Sequence, residues 1–154
     1  MIKVISCFLF DIISYLDRII FILFKRSFLI YFGDKINSYL YINRKMNNLS
    51  INFYTPNSIT RWRSNTFDLE EPQTIQWINK FHKQKKKIIL WDIGSNIGLY
   101  SIYASIVHKN IKVICFEPST SNLRVLSRNI SINKLKNKIS IFQIPLSEKT
   151  NTFS

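Results

Sequence analysis

Apolar positions between residues 88 and 144 recur with two alternating periods. Residues 88–91 (Ile-Ile-Leu-Trp) form a continuous apolar run, the pattern of a strand buried on both faces of a parallel sheet. The run gives out at Asp92-Ile93-Gly94. Leu99, Ile102, Tyr103, Ile106 and Val107 then fall at i, i+3, i+4, i+7 and i+8, one face of a helix that Ser95 or Asn96 can cap. Lys109-Asn110 stops this helix, and His108 reads as a surface cap at its end. Residues 111–116 predict a second strand, closed by Glu117-Pro118. The stretch Ser119 to Ser121 can cap a helix over residues 122–132, with Leu123, Leu126 and Ile130 inward. Asn133-Lys134 closes it, and residues 139–144 alternate as a third strand at a sheet edge. Strand, helix, strand, helix, strand predicts an α/β fold: the first half of a Rossmann-like doubly wound parallel sheet, in the order 3-2-1.

The chain upstream follows other patterns. In residues 1–32, Leu9, Ile12, Ile13, Leu16, Ile19, Ile20 and Leu23 recur at helical spacing, with Cys7, Asp11, Ser14 and Arg18 opposite. This predicts an amphipathic helix with a wide apolar face. Asp11, Asp17 and Arg18 break the segment up, so no run approaches the roughly 18 apolar residues of a membrane span, and no small-residue cleavage site follows. The face can dock on the rest of the chain, or it can lie in a membrane interface with help from Lys25 and Arg26. Gly33 to Asn37 reads as a break. Residues 39–43 and 49–54 alternate as strands around a polar turn at residues 44–48, giving a β-hairpin. Residues 60–71 show no periodicity. Residues 72–81 predict a short helix, with Pro72 at its first position, Glu70-Glu71 at its positive end, and Ile75, Ile78 and Phe81 inward. The basic run 82–87 (His-Lys-Gln-Lys-Lys-Lys) reads as a solvated loop. Three segments follow: 1–32, a helical segment; 33–87, an extension of hairpin, lid-like loop and short helix; and 88–154, the sheet-forming part.

Composition changes this picture little. The chain has 154 residues, 46% of them hydrophobic, enough to bury a core, and a formal charge of +13. Such a charge can signal nucleic acid or an anionic surface. With no arginine-rich cluster interleaved with aromatics, no helix-turn-helix and no zinc spacing, we read the charge as compositional drift toward Lys, Asn and Ile, with no nucleic-acid partner. Cys7 and Cys115 support neither a disulfide framework nor a metal site, consistent with a cytoplasmic chain, at most peripheral to the inner face of the membrane.

The chemistry concentrates at one turn. Two of the chain's 3 glycines, Gly94 and Gly98, stand in D-I-G-S-N-I-G. Close approach of a cofactor to that backbone excludes a side chain at either position. Glu117 follows at about the 20-residue spacing at which a carboxylate accepts ribose hydroxyls. Neither G-x-G-x-x-G nor G-K-[ST] is present, which counts against a pyrophosphate cofactor. A cofactor with a ribose and no pyrophosphate fits better, and S-adenosylmethionine (SAM) meets that description. Each residue also has a plainer role: Asp92 as a turn cap, Glu117 as a solvated strand end, Ser95 and Asn96 as helix caps.

Residues 91–101 (WDIGSNIGLYS), 114–133 (ICFEPSTSNLRVLSRNISIN), 145–154 (PLSEKTNTFS) and 55–78 together resemble the FkbM-type family of class I SAM-dependent methyltransferases. The resemblance implies that Asp92, Gly94, Ser95, Asn96 and Gly98 surround the methionine part of SAM, that Glu117 binds the ribose, and that Pro118, Leu146 and Ser147 border the adenine. It implies transfer of a methyl group to a hydroxyl of a sugar, glycan or other small metabolite. Residues 60–71, with Arg61, Trp62 and Arg63, would fold over the mouth of the site. No residue stands out as the catalytic base, and no metal is implied. A family member continues with further strands beside the first, so the chain reads as the N-terminal half of such a domain, or as one that covers its bare edge by forming a homodimer. The alternatives are a nicotinamide-dependent oxidoreductase, against which the missing third glycine counts, and a non-catalytic, membrane-attached SAM-binding module.

Overall fold

The computed structural model describes residues 1–46, 48–83 and 87–146, without the side chains of residues 82 and 83. The chain divides into two compact units, Met1–Leu40 and Tyr41–Ser154.

The first unit is a helical hairpin. Helix α1 (Ile2–Phe24) ends at Lys25, which adopts the left-handed conformation at φ 55°. Helix α2 (Phe28–Asn37) begins after Ser27, whose hydroxyl accepts from the Ile30 amide at 3.3 Å. The Asp17 carboxylate of α1 accepts from the Ser27 hydroxyl at 2.8 Å and from the Phe28 and Leu29 amides at 2.6 and 3.0 Å. These bonds satisfy the orphan amides at the start of a helix, so the break falls at residues 25–27. The break expected at Gly33 is not there: Gly33 lies inside α2, with nothing within 4 Å of a Cβ placed on it. A 3-10 turn, Ser38–Leu40, follows.

The second unit opens with strands β1 (Tyr41–Met46) and β2 (Leu49–Tyr54), an antiparallel pair in register from Tyr41↔Tyr54 to Met46↔Leu49. Residues 44–46, expected in the turn, are therefore strand: Arg44 pairs with Asp68 at 3.0 Å, Lys45 is exposed and Met46 is buried. Helix α3 (Ser58–Glu70) follows, where no periodicity was legible and a lid-like loop was expected. Asn57 and Thr60 form a reciprocal capping box at its start. Its buried stripe is Thr60, Ser64 and Phe67. Those positions have helical spacing, but two of the three are small and polar, so hydrophobicity does not mark them. Helix α4 (Pro72–Asn79) buries Ile75 and Ile78, and a 3-10 turn, Lys80–Lys83, ends it. Residues 84–86 of the basic run lie outside the described residues.

Then come β3 (Ile88–Ile93), α5 (Leu99–Val107), β4 (Ile111–Phe116), α6 (Thr120–Ile132) and β5 (Ile139–Phe142). The three strands are parallel, with β4 in the middle. Leu90, Val113, Cys115 and Ile139 of the sheet join Ile102, Tyr103, Leu126 and Ile130 of the helices in one core. The other face is open. Ile89, Trp91 and Ile93 are each about 60% exposed, which corrects the expectation of a strand buried on both sides.

The hairpin is stitched to α6 by two asparagines one turn apart. The Tyr54 amide donates to Asn129 Oδ1 at 2.7 Å, and the Asn52 amide to Asn133 Oδ1 at 3.0 Å. Residues 52 and 54 of a strand point their amides to the same edge, and i, i+4 positions of a helix share a face, so the two spacings match.

Candidate functional site

Three left-handed residues shape the turn after β3: Gly94 at φ 73°, Asn96 at φ 52° and Gly98 at φ 83°. The Gly94 and Ser95 amides donate to the Phe116 carbonyl at 2.9 and 3.1 Å, and the Gly98 amide donates to Ser95 O at 2.8 Å. Gly98 is the N-cap of α5. Neither Ser95 nor Asn96 caps it, contrary to expectation: the Ser95 hydroxyl donates back to Asp92 O at 2.6 Å, and the Asn96 amide is drawn to Glu117 Oε2 at 2.7 Å. The two glycines also differ. A Cβ at Gly98 would run into Leu126 of α6, whereas one at Gly94 would meet nothing within 4 Å. Gly98 is thus required by its neighbour and its backbone, Gly94 by its backbone alone.

Glu117 is buried at 5% exposure and is not a solvated strand end. Besides the Asn96 amide it accepts from the Ser119 amide at 2.9 Å and from Asn122 Nδ2 at 3.2 Å. Three of a carboxylate's roughly four accepting positions are then used, which leaves one on Oε2. Asp92 accepts from the Ser101 hydroxyl, which also lies 3.0 Å from the Cys115 thiol. Burial raises the Asp92 carboxyl above the usual carboxylate range; the Ser101 bond opposes this, and the charges of Glu117 and Glu71 reinforce it. Burial likewise pushes the Cys115 thiol up to about 11. Burial, followed by the Glu71 charge, raises the Tyr100 hydroxyl.

Asp92, Gly94, Ser95 and Asn96 open onto a cavity of about 340 Å³, within the size range of small-ligand sites. Its far wall is α3 and the start of α4: Trp62, Arg63, Thr66, Phe67, Glu70 and Glu71, with Leu99 and Tyr100 of α5 between. Of the expected site residues, Gly98, Glu117, Pro118 and Leu146 do not line it. Glu117 joins the turn through the Asn96 amide, Pro118 is exposed beside it, Leu146 is exposed beyond β5, and Ser147 lies outside the described residues. The carboxylates of Glu70 and Glu71 and the Tyr100 ring were missed as site residues. The two glutamates had been read as partners of the α4 dipole, and Tyr100 falls off the predicted apolar face. Arg63 is half-buried and makes no ion pair among the described residues, where the ion pair present joins Arg44 to Asp68 at 3.0 Å. His108 is buried, not a surface cap: its Nε2 lies 2.9 Å from Ile78 O. Among the described residues no cluster of ligating side chains could hold a metal.

No family profile matches the chain. The methyltransferase sdnD of Sordaria araneosa is 36% identical over 61 residues, 40% of this chain and 24% of that protein. A crystal structure of a SAM-dependent methyltransferase from Agrobacterium tumefaciens superposes with a TM-score of 0.50 at 9% identity, over 68% of this chain and 32% of the other. The chain shares that fold. It spans about a quarter of the curated relative and about a third of the Agrobacterium structure. The precorrin-6y C5,15-methyltransferase of Geobacter metallireducens matches at a TM-score of 0.39 and 17% identity, over 45% of this chain and 36% of that one.

Proposed function

We propose that the chain is the cofactor-binding part of a SAM-dependent methyltransferase of FkbM type, which methylates a hydroxyl on a sugar or other small metabolite. One observation carries the reading: the glycine turn after β3 and the carboxylate at the end of β4 meet at the Asn96–Glu117 bond, beside a cavity walled by acidic groups. The Sordaria relative supports the activity, and the Agrobacterium structure supports the fold. The three parallel strands fit the first half of a doubly wound sheet, whose second layer of helices would cover Ile89, Trp91 and Ile93.

The donor set suits SAM, which bears an ammonium, a sulfonium and a carboxylate. Asp92, Glu70 and Glu71 face the two cations, and Arg63 supplies the guanidinium for the carboxylate, a pairing that guanidinium geometry favours. Glu117 takes a ribose hydroxyl at the open position on Oε2, and Pro118 borders the adenine. When bound, SAM would supply a methyl carbon on a positively charged sulfur: the acceptor oxygen would form the O–C bond as the C–S electron pair returns to sulfur, and the hydroxyl proton would be released to water. The work of the residues here is to bind and orient, which can supply a large share of such a rate. We assign no base: His108 is held by the Ile78 carbonyl at the far end of α5.

Calorimetry with S-adenosylhomocysteine and NADH in parallel tests the reading. Saturable binding of S-adenosylhomocysteine alone is expected, and binding of NADH alone would replace the proposal with a nicotinamide oxidoreductase. Arg63→Ala should weaken S-adenosylhomocysteine by roughly 10- to 100-fold, the worth of a hydrogen bond to a charged group. A dissociation constant equal to wild type removes α3 from the site.

A further inference from the structure

Helix α1 buries none of its residues, and one arc of its surface is apolar and free of charge, while Phe10, Phe21 and Phe24 stand elsewhere around the axis. At 100° per residue, Phe8, Ile12, Tyr15, Leu16, Ile19 and Leu23 fall within an arc of roughly 100°, and each is at least 40% exposed. Lys3, Cys7, Ser14 and Arg18 occupy the opposite side. Helix α2 does not cover the apolar arc. The α1 residues that are partly covered, Ile13, Ser14, Asp17 and Ile20, lie away from the arc, on the opposite side, where Asp17 holds the start of α2. Adding Val4 and Leu9 at its margins widens the arc to roughly 140°, and it is continuous over the length of the helix.

We propose that this helical hairpin lies in the surface of an anionic lipid bilayer, with the apolar arc of α1 turned toward the acyl chains. Width argues for a plane: a second helix needs only a narrow a/d seam, and an apolar arc of roughly 140° is wider than that seam and suits a flat interface. Charge argues for an anionic one. Residues 1–40 carry five Lys or Arg against three Asp, with Lys25 and Arg26 together at the end of α1. Among the described residues no helix is long and apolar enough to cross a membrane, and Asp11 and Arg18 are exposed outside the apolar arc. The inference is independent of the methyl-transfer reading.

The test is co-sedimentation of the full chain with vesicles of equal parts phosphatidylglycerol and phosphatidylcholine at low salt. Ile12→Glu places a charge in the middle of the arc, and Ser6→Glu places the same charge on the polar side, so the pair separates burial from net charge. The expected result is that wild type and Ser6→Glu sediment with vesicles and that Ile12→Glu loses at least ~10-fold in partitioning, the worth of burying one isoleucine side chain. Circular dichroism of the variants checks that α1 remains helical. Equal sedimentation of Ile12→Glu and wild type overturns the proposal. So does a dimer in vesicle-free buffer that Ile12→Glu disperses, because a second copy would then cover the arc.

Discussion

Asn129 is fully buried and joins three elements. Its Oδ1 accepts from the Tyr54 amide of β2 at 2.7 Å, and its Nδ2 donates to the Ile97 carbonyl inside the glycine turn at 2.9 Å. Asn129→Leu keeps the number of side-chain heavy atoms and the branch at Cγ and removes both bonds, so a backbone N–H and a backbone C=O are left buried without partners. Each such orphan costs about 1–3 kcal/mol, so the variant should lose roughly 2–6 kcal/mol. At roughly 4 °C per kcal/mol for a domain of about 100 residues, the melting temperature should fall by roughly 8–24 °C. Asn133→Leu is the internal comparison. It removes the bonds to the Asn52 amide and carbonyl, which lie at an exposed position where water can replace them, and the bond from its Nδ2 to the Asn129 carbonyl, which keeps the Asn133 amide as a partner, so its cost should stay near or below about 1 kcal/mol. Thermal unfolding followed by circular dichroism reads both. Equal melting temperatures for the two variants would refute the claim that Asn129 is the buried tie between hairpin, α6 and turn.

Gly98→Ala meets both a left-handed backbone and Leu126 and should cost roughly 2–5 kcal/mol, whereas Gly94→Ala meets the backbone alone and should cost roughly 1–2 kcal/mol; denaturant melts of the two should rank them in that order. Asp92 has its carboxyl raised by burial, so the folded chain holds that proton to higher pH than the unfolded chain, and stability is lost as pH rises from the ordinary aspartate value through the raised one. Asp92→Asn should therefore melt above wild type at neutral pH, by a margin that shrinks as pH falls, and it should bind S-adenosylhomocysteine more weakly; a margin that grows toward acid pH would reverse the assignment. The Cys115 thiol, buried and pushed up to about 11, should resist a thiol reagent at pH 8 that labels exposed Cys7, and both should react after unfolding; equal rates in the folded protein would contradict the burial.

The parallel strands and their helices were legible because each element buries an apolar stripe with its own period. Helix α3 was not, because its inward positions are Thr60 and Ser64 as well as Phe67, and small hydroxyl residues packed against a helix backbone leave no hydrophobic signal. The turn was legible from two glycines in a chain that has three, but the sequence could not say that Leu126 is what excludes a side chain at Gly98. It also could not show the acidic wall of the cavity, since Glu70 and Glu71 have a sufficient local explanation in the dipole of α4. The expectation of a doubly buried β3 rested on an unbroken apolar run, and a run of that kind records only what the strand is suited to pack against.

The central claim is that the turn at residues 92–98, together with Glu117, binds the adenosyl cofactor. Backbone amide shifts measured by NMR during a titration with S-adenosylhomocysteine test it most directly. The account predicts saturable shifts centred on Gly94, Ser95, Asn96, Gly98 and Glu117, extending to Arg63 and Glu71 across the cavity. Shifts confined to other parts of the chain, or none at concentrations that saturate ordinary methyltransferases, would contradict it.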